Sequence, residues 1–338
     1  METNNVINTY DETKEAGKQF SRLGLAFVVG SVVISIANNL LTLALKYWKP
    51  EWAENTNINL LLSAIFMYLL GMPIVALIVK KMPTVDIPKK HISVGKFLLA
   101  LIMCYPVMYC SNLIGTIITT IIGVLKGGAV NNQVLNVVTD ANMLVIILYM
   151  VICAPIMEEL IFRKLIVDRT VRYGQGVAIV VSGVMFGLFH GNLNQFVYAT
   201  ALGMFLAFLY VKTGNIKITI GIHMIINFFG GVVSTLLLKA IKYEELLELA
   251  SGNNPEELMQ FYMDNLTGWI AYILYAFFII AVVITGIVLL IVFRKRFKVE
   301  AGEVIIPKGK RFTTIFLNAG MILFALFWIV MIIIQLLQ

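Results

Sequence analysis

Two adjacent glutamates close a long apolar run in Cys153-Ala154-Pro155-Ile156-Met157-Glu158-Glu159-Leu160-Ile161-Phe162-Arg163. Two of the chain's three histidines, His190 and His223, sit in further apolar stretches. An ionised side chain inside a bilayer costs roughly 2.5–3.5 kcal/mol on insertion scales, so groups kept there mark a working site by default. The chemistry open to a carboxylate and two imidazoles is proton transfer to and from water or a substrate. Successive helical residues are about 100° apart, so Glu158 and Glu159 are expected on different faces. Glu159 and Arg163, spaced i, i+4, are expected to pair as ions near the membrane surface. Glu158 then points elsewhere, into the bundle. Pro155 removes a backbone hydrogen bond one turn earlier, a kink tolerated where helices line a cavity. Phe186 stands one turn before His190, and His223 and Asn227 stack i, i+4 on one face of an apolar segment. Polar side chains placed so face the bundle interior, where they need partners. Each motif also has a plain structural reading: interfacial charges, a hydrogen-bonded histidine at a helix end, and helix–helix hydrogen bonding.

The elements that must position these groups are membrane helices. Hydrophobic residues make up 59% of the 338, charged residues only 13%, and mean hydropathy is +0.88. A soluble domain carries about 25% charged residues, so a polytopic, all-α membrane bundle is expected, with no large soluble domain. The formal charge of +7 does not point to nucleic acid, because the basic residues fall between apolar runs. Nine candidate spans follow: 23–47, 58–79, 97–125, 142–162, 176–190, 195–211, 216–238, 268–293 and 312–336, with an eight-span reading as the alternative. The fifth and sixth are short, and the third is long enough to tilt or break. With the N-terminus in the cytoplasm, 21 of the 26 basic residues lie on that side, in the first twenty-two residues and in segments 80–96, 163–175, 212–217 and 294–311. That is the asymmetry of the positive-inside rule.

The domain reading is a cytoplasmic tail over 1–22, N-terminal helices over 23–135, a core over 136–240, an extracytoplasmic amphipathic loop over 241–267 and C-terminal helices over 268–338. No cleaved signal peptide is expected, since the first twenty residues are polar and include Glu2, Asp11, Glu12 and Glu15. Segment 240–266 reads as two short amphipathic helices, the second capped by Asn254 before Pro255. Cys104, Cys110 and Cys153 lack paired spacing and read as packing residues. One tension is visible. Measured from Arg163 and Lys217, Glu158 and His223 lie about one and a half turns from the basic loops, whereas His190 lies roughly 20 Å beyond Gly176.

In order and spacing, Glu158-Glu159-x-x-x-Arg163, Phe186-x-x-x-His190 and His223-x-x-x-Asn227 resemble the signature of the CPBP intramembrane endopeptidases, also called the Abi or type II CAAX-processing protease family. The Tyr210-x-x-Thr213-Gly214 turn is also similar. The resemblance covers about residues 140–240. It implies hydrolysis of a peptide bond in a membrane-associated peptide or protein; the Ile-, Lys- and Asn-rich composition points to a bacterial cell membrane, and the closeness of Glu158 and His223 to the basic loops to a site opening towards the cytoplasm. By that resemblance Glu158 is the general base that activates water and His190 assists. His223 and Asn227 stabilise the oxyanion, and Glu159, Arg163 and Phe186 support them. No cofactor is expected. A zinc ion held by Glu158, His190 and His223 is the alternative, without a His-Glu-x-x-His motif to back it. Rival readings are a non-catalytic scaffold or bacteriocin-immunity protein, and a proton-coupled transporter.

Overall fold

The computed structural model describes residues 2–252 and 254–337, with side chains from residue 11 onward. Among these residues all regular structure is helical, and eight helices are long and apolar enough to cross a membrane. In chain order the elements are α1 (Glu2–Trp48), α2 (Thr56–Val79), α3 (Val94–Lys126), the short α4 (Gln133–Asp140), α5 (Met143–Tyr173), α6 (Gln175–Phe189), α7 (Leu193–Thr213), α8 (Ile216–Ala240), the small pair α9 (Tyr243–Ser251) and α10 (Pro255–Asp264), α11 (Leu266–Val292) and α12 (Ala319–Leu337). The polar start of the chain is helical from Glu2 and continuous with the first span. Helices α9 and α10 match the two amphipathic helices expected there, and Asn254 accepts a hydrogen bond from the Glu257 amide at 3.3 Å. Asn253, between them, lies outside the described residues.

Three segments depart from the hydropathy reading. The expected span 176–190 is the fifteen-residue α6, only about 22 Å long at 1.5 Å per residue. It still keeps the alternation, because it runs antiparallel to α7: Gln175 bonds Lys212 at 2.6 Å, and Gly183 and Gly187 lie against Met204 and Thr200. A Cβ on Gly187 would fall 1.9 Å from Thr200 Oγ1, so the bare backbone is what lets α7 approach this closely. The second departure is 163–175, expected as a basic loop, which is helical as far as Tyr173. Its charges are met inside the fold. Arg163 pairs with Glu159 at 3.0 Å and Lys164 with Asp168 at 2.6 Å, while Tyr210 donates to Asp168 at 2.8 Å. α5 therefore runs 31 residues, about 46 Å against a hydrocarbon core of about 30 Å. Third, the last expected span is interrupted, with Arg311–Phe316 a separate short helix before α12. α3, by contrast, stays unbroken through Pro106.

Loops tie the helix ends at the basic face. The Val85 amide donates to the Asp168 carbonyl at 2.7 Å, Lys90 to Thr213 at 2.6 Å, Gln175 to Glu300 at 3.1 Å and Val304 to Arg172 at 3.0 Å. At the opposite face the Asn131 carbonyl accepts from Asn194 at 3.1 Å and from Gln335 at 2.7 Å, which joins the end of α3 to α7 and α12. Between these faces a continuous core runs from Phe20 and Phe27 of α1 through Phe162 of α5 and Phe186 of α6 to Phe324 of α12.

Candidate active site

α5 enters the site through a π-helical stretch, Ile146–Cys153, tightens to α-helix over Ala154–Glu159, and widens again to π-helix over Leu160–Val167. Pro155, which has no N–H to give, lies between the two wide stretches. The Ser182 hydroxyl donates to the Phe162 carbonyl at 2.8 Å and sets the level of α6 against α5. One turn further along each helix, Phe186 therefore faces the level of Glu158.

Phe186 is the hub. The Arg163 guanidinium carbon lies 4.9 Å from its ring centroid, the His190 ring 4.7 Å away edge-on, and the His223 ring 6.0 Å away edge-on. Glu159 and Arg163 are fully buried, not at the surface as expected. Arg163 Nε sits 3.0 Å from Glu159 Oε2, and its two terminal nitrogens have no hydrogen-bond partner among the described residues. The other oxygen of Glu159 lies 3.0 Å from His223 Nδ1. His223 Nε2 is 3.7 Å from Glu158 Oε2. The two glutamates, though about 100° apart on the helix, thus reach one imidazole from its two nitrogens. The Glu158 side chain keeps 17% of its surface open, against none for Glu159.

The 3.7 Å between Glu158 Oε2 and His223 Nε2 is a span that one water about 2.8 Å from each would bridge. His190 caps α6, with Nδ1 2.8 Å from the Phe186 carbonyl oxygen. A carbonyl only accepts, so Nδ1 carries the proton and Nε2 remains the free acceptor. Asn227 donates from its amide to the Met150 carbonyl at 2.8 Å, tying α8 to the first wide turn of α5 and committing one N–H to structure. The depth mismatch seen in the sequence disappears, since Arg163 is no surface marker. Phe186 lies eleven residues above Gln175, about 17 Å, with Glu158 beside it.

The alternative zinc set is not drawn together into a ready-made cluster. Among the described residues no three His, Cys, Asp or Glu side chains are grouped to hold a metal ion.

Other side chains near Glu158 escaped the sequence reading. Its carboxylate acts electrostatically on Tyr68, Tyr149, Cys153 and Tyr198, from α2, α5 and α7. No shared spacing marks them in the sequence. Thr219, fully buried one turn before His223, does share the i, i+4 face of His223 and Asn227 and was legible on that ground.

A family model described as type II CAAX prenyl endopeptidase Rce1-like matches residues 140–229. The chain is 29% identical over 126 residues to the "Putative membrane peptidase YdiL" of Bacillus subtilis (strain 168), a match covering 36% of this chain and 50% of that protein. It is 27% identical over 164 residues to the "Membrane-embedded CAAX protease MroQ" of Staphylococcus aureus (strain USA300), covering 46% and 63% respectively. The matched part thus spans between half and two thirds of these curated relatives. No solved structure matches the chain significantly. The matched segment contains Glu158, Glu159, Arg163, Phe186, His190, His223 and Asn227, and over it the chain is similar to the type II CAAX prenyl endopeptidase, Rce1-like family.

Proposed function

We propose that this integral membrane protein is an intramembrane endopeptidase in which Glu158 activates water. The observation that carries the reading is the meeting of Glu158, Glu159, Arg163, His190 and His223 around Phe186 among apolar helices. In the proposed step Glu158 takes a proton from water while the water oxygen bonds to the peptide carbonyl carbon. The carbonyl π pair moves onto its oxygen, where the free amide N–H of Asn227 and, with His223 in its imidazolium form between the two glutamates, the His223 Nε2–H donate to it. Collapse breaks the carbon–nitrogen bond, and the leaving amine takes the proton from Glu158. One water is consumed, one carboxyl and one amine are released, and the carboxylate is restored. His190 Nε2, the acceptor left free by the Phe186 carbonyl, assists by holding the water. Glu159 and Arg163 orient His223. Preorganised donors are worth most where water is scarce: removal of one oxyanion donor in a soluble protease costs about 2.7–4 kcal/mol.

The substrate class proposed is a membrane-associated peptide or protein, in line with the endopeptidase family that residues 140–229 resemble. The basic face, with 20 lysines and arginines once buried Arg163 is set aside, is proposed to be cytoplasmic, so that the N-terminus and the site's mouth face that side. Residues 136–240 are proposed as the catalytic core. The test compares membrane peptides from cells carrying the native chain and the Glu158→Gln form. Loss of a defined set of peptides, with the variant inserted in normal amount, is expected. If no peptide depends on Glu158, the enzyme reading fails. A phenotype that survives changing Glu158, His190 and His223 together then marks a scaffold or immunity protein.

A further inference from the structure

We propose that Tyr68 completes the active site, its phenol hydroxyl donating to the oxygen of the scissile carbonyl. The inference rests on the endopeptidase reading above and extends it to α2, which lies outside the segment matched by the family model.

Three independent observations converge on this residue. First, Tyr68 is 6% exposed, and its hydroxyl is buried with no hydrogen-bond partner among the described residues. A buried donor left unpaired costs free energy that phenylalanine in the same place avoids. The hydroxyl therefore needs a partner that arrives with the reaction.

Second, the place is right. Tyr68 belongs to the core cluster that contains Phe162 and Phe186, with Tyr149, Cys153 and Met157 packed against it. The charge acting most strongly on its phenol is the Glu158 carboxylate. α2 is pinned to α5 at one end, where Asn57 accepts from the Asn142 amide at 2.7 Å, and Thr56–Ile65 packs on Ile146–Cys153.

Third, the backbone is built for it. Among the described residues there are four π-helical stretches. Ile146–Cys153 carries the carbonyl that holds Asn227, Leu160–Val167 starts directly after Glu159, and Phe228–Val233 starts directly after Asn227. The fourth, Phe66–Gly71, carries Tyr68. π turns are rare and gather at functional sites, and here three of the four adjoin residues of the site.

A census of donors gives the hydroxyl its role. His223 Nδ1 is engaged by Glu159, His190 Nδ1 by the Phe186 carbonyl, and one amide hydrogen of Asn227 by Met150. The Tyr198 hydroxyl already accepts from Gln195 at 3.1 Å. The Tyr68 hydroxyl, by contrast, is buried with no hydrogen bond of either kind among the described residues, and like the second Asn227 N–H it is free to donate. A donor aimed where negative charge develops acts on the transition state more than on the bound substrate.

The test uses the full chain in its membrane, with Tyr68→Phe, Glu158→Gln and native forms side by side. The Glu158-dependent peptides give the cleavage site, and a synthetic peptide spanning it gives kcat and KM separately. Tyr68→Phe is expected to lower kcat about 100-fold, the size seen for loss of one oxyanion donor, with KM little changed. Its thermal stability in detergent should equal or exceed that of the native chain. A native rate in Tyr68→Phe, beside an inactive Glu158→Gln, refutes the role of Tyr68 alone. Marked loss of stability in Tyr68→Phe also refutes it, since the hydroxyl then had a structural partner. If Glu158→Gln itself keeps native peptides, the endopeptidase reading falls and this inference falls with it.

Discussion

The Glu159–Arg163 pair offers the sharpest energetic test of the site. Both side chains are fully buried, and each is the other's closest charge, at 3.0 Å. Breaking a buried pair by removing one partner costs about 3–5 kcal/mol, because the survivor keeps a desolvated charge with nothing to meet it. The structure ranks the two single changes. Arg163→Met leaves Glu159 with the His223 imidazole at 3.0 Å, so a loss near 3 kcal/mol is expected. Glu159→Gln leaves a guanidinium whose two terminal nitrogens are already unpartnered, and the loss should approach 5 kcal/mol.

Glu159→Gln with Arg163→Met removes both charges at once. Apolar or neutral replacement of both members of a buried pair is often neutral, so the double form should regain at least about 2 kcal/mol over the sum of the singles. The assay is a double-mutant cycle from reversible unfolding in mixed micelles, with cleavage followed in parallel. Stability should return in the double form while cleavage does not, because His223 has lost the carboxylate that orients it. Additive single effects, or singles within about 1 kcal/mol of native, would show that these charges are hydrated or apart, and the buried pairing described above would be wrong.

Two further outcomes follow from the geometry. Gly187→Ala should weaken the α6–α7 hairpin by about 1–3 kcal/mol and displace Phe186, since the new Cβ meets Thr200 Oγ1 at 1.9 Å and the Phe196 carbonyl at 2.8 Å; unfolding in mixed micelles measures the first effect and the cleavage rate the second. Dialysis against a strong chelator should leave the cleavage rate of the native protein unchanged, because Glu158, His190 and His223 are not grouped as metal ligands; a rate lost on chelation and regained with zinc overturns that.

Legibility varied with the kind of interaction. Hydropathy located the helices because a spanning helix must be apolar along its length, and the i, i+4 spacings of Glu159–Arg163 and His223–Asn227 were visible because a helix turns by a constant angle. The same reasoning failed where charge is neutralised internally. Arg163, Lys164 and Asp168 look like a loop in the sequence, yet Glu159, Tyr210 and their own i, i+4 pairing hold them within a continuous helix. That error placed Glu158 too near the surface and made His190 appear too deep. The short α6 was read to within a residue at each end, 176–190 against Gln175–Phe189, and its limits are set by Gly174 at φ +112° and by the turn at Gly191, φ +64°.

From the order of residues alone came an all-helical membrane chain and a candidate set of carboxylates, imidazoles and amide, because composition and helical periodicity are local properties. Which glutamate stays open, that one histidine serves both, and that a tyrosine from α2 shares the buried core of Phe186 were decided only by tertiary packing. Those facts depend on how far apart three or more helices sit and at what level each enters. Contacts between residues distant in the chain set such offsets, as when Ser182 reaches the Phe162 carbonyl and Gly187 admits Thr200.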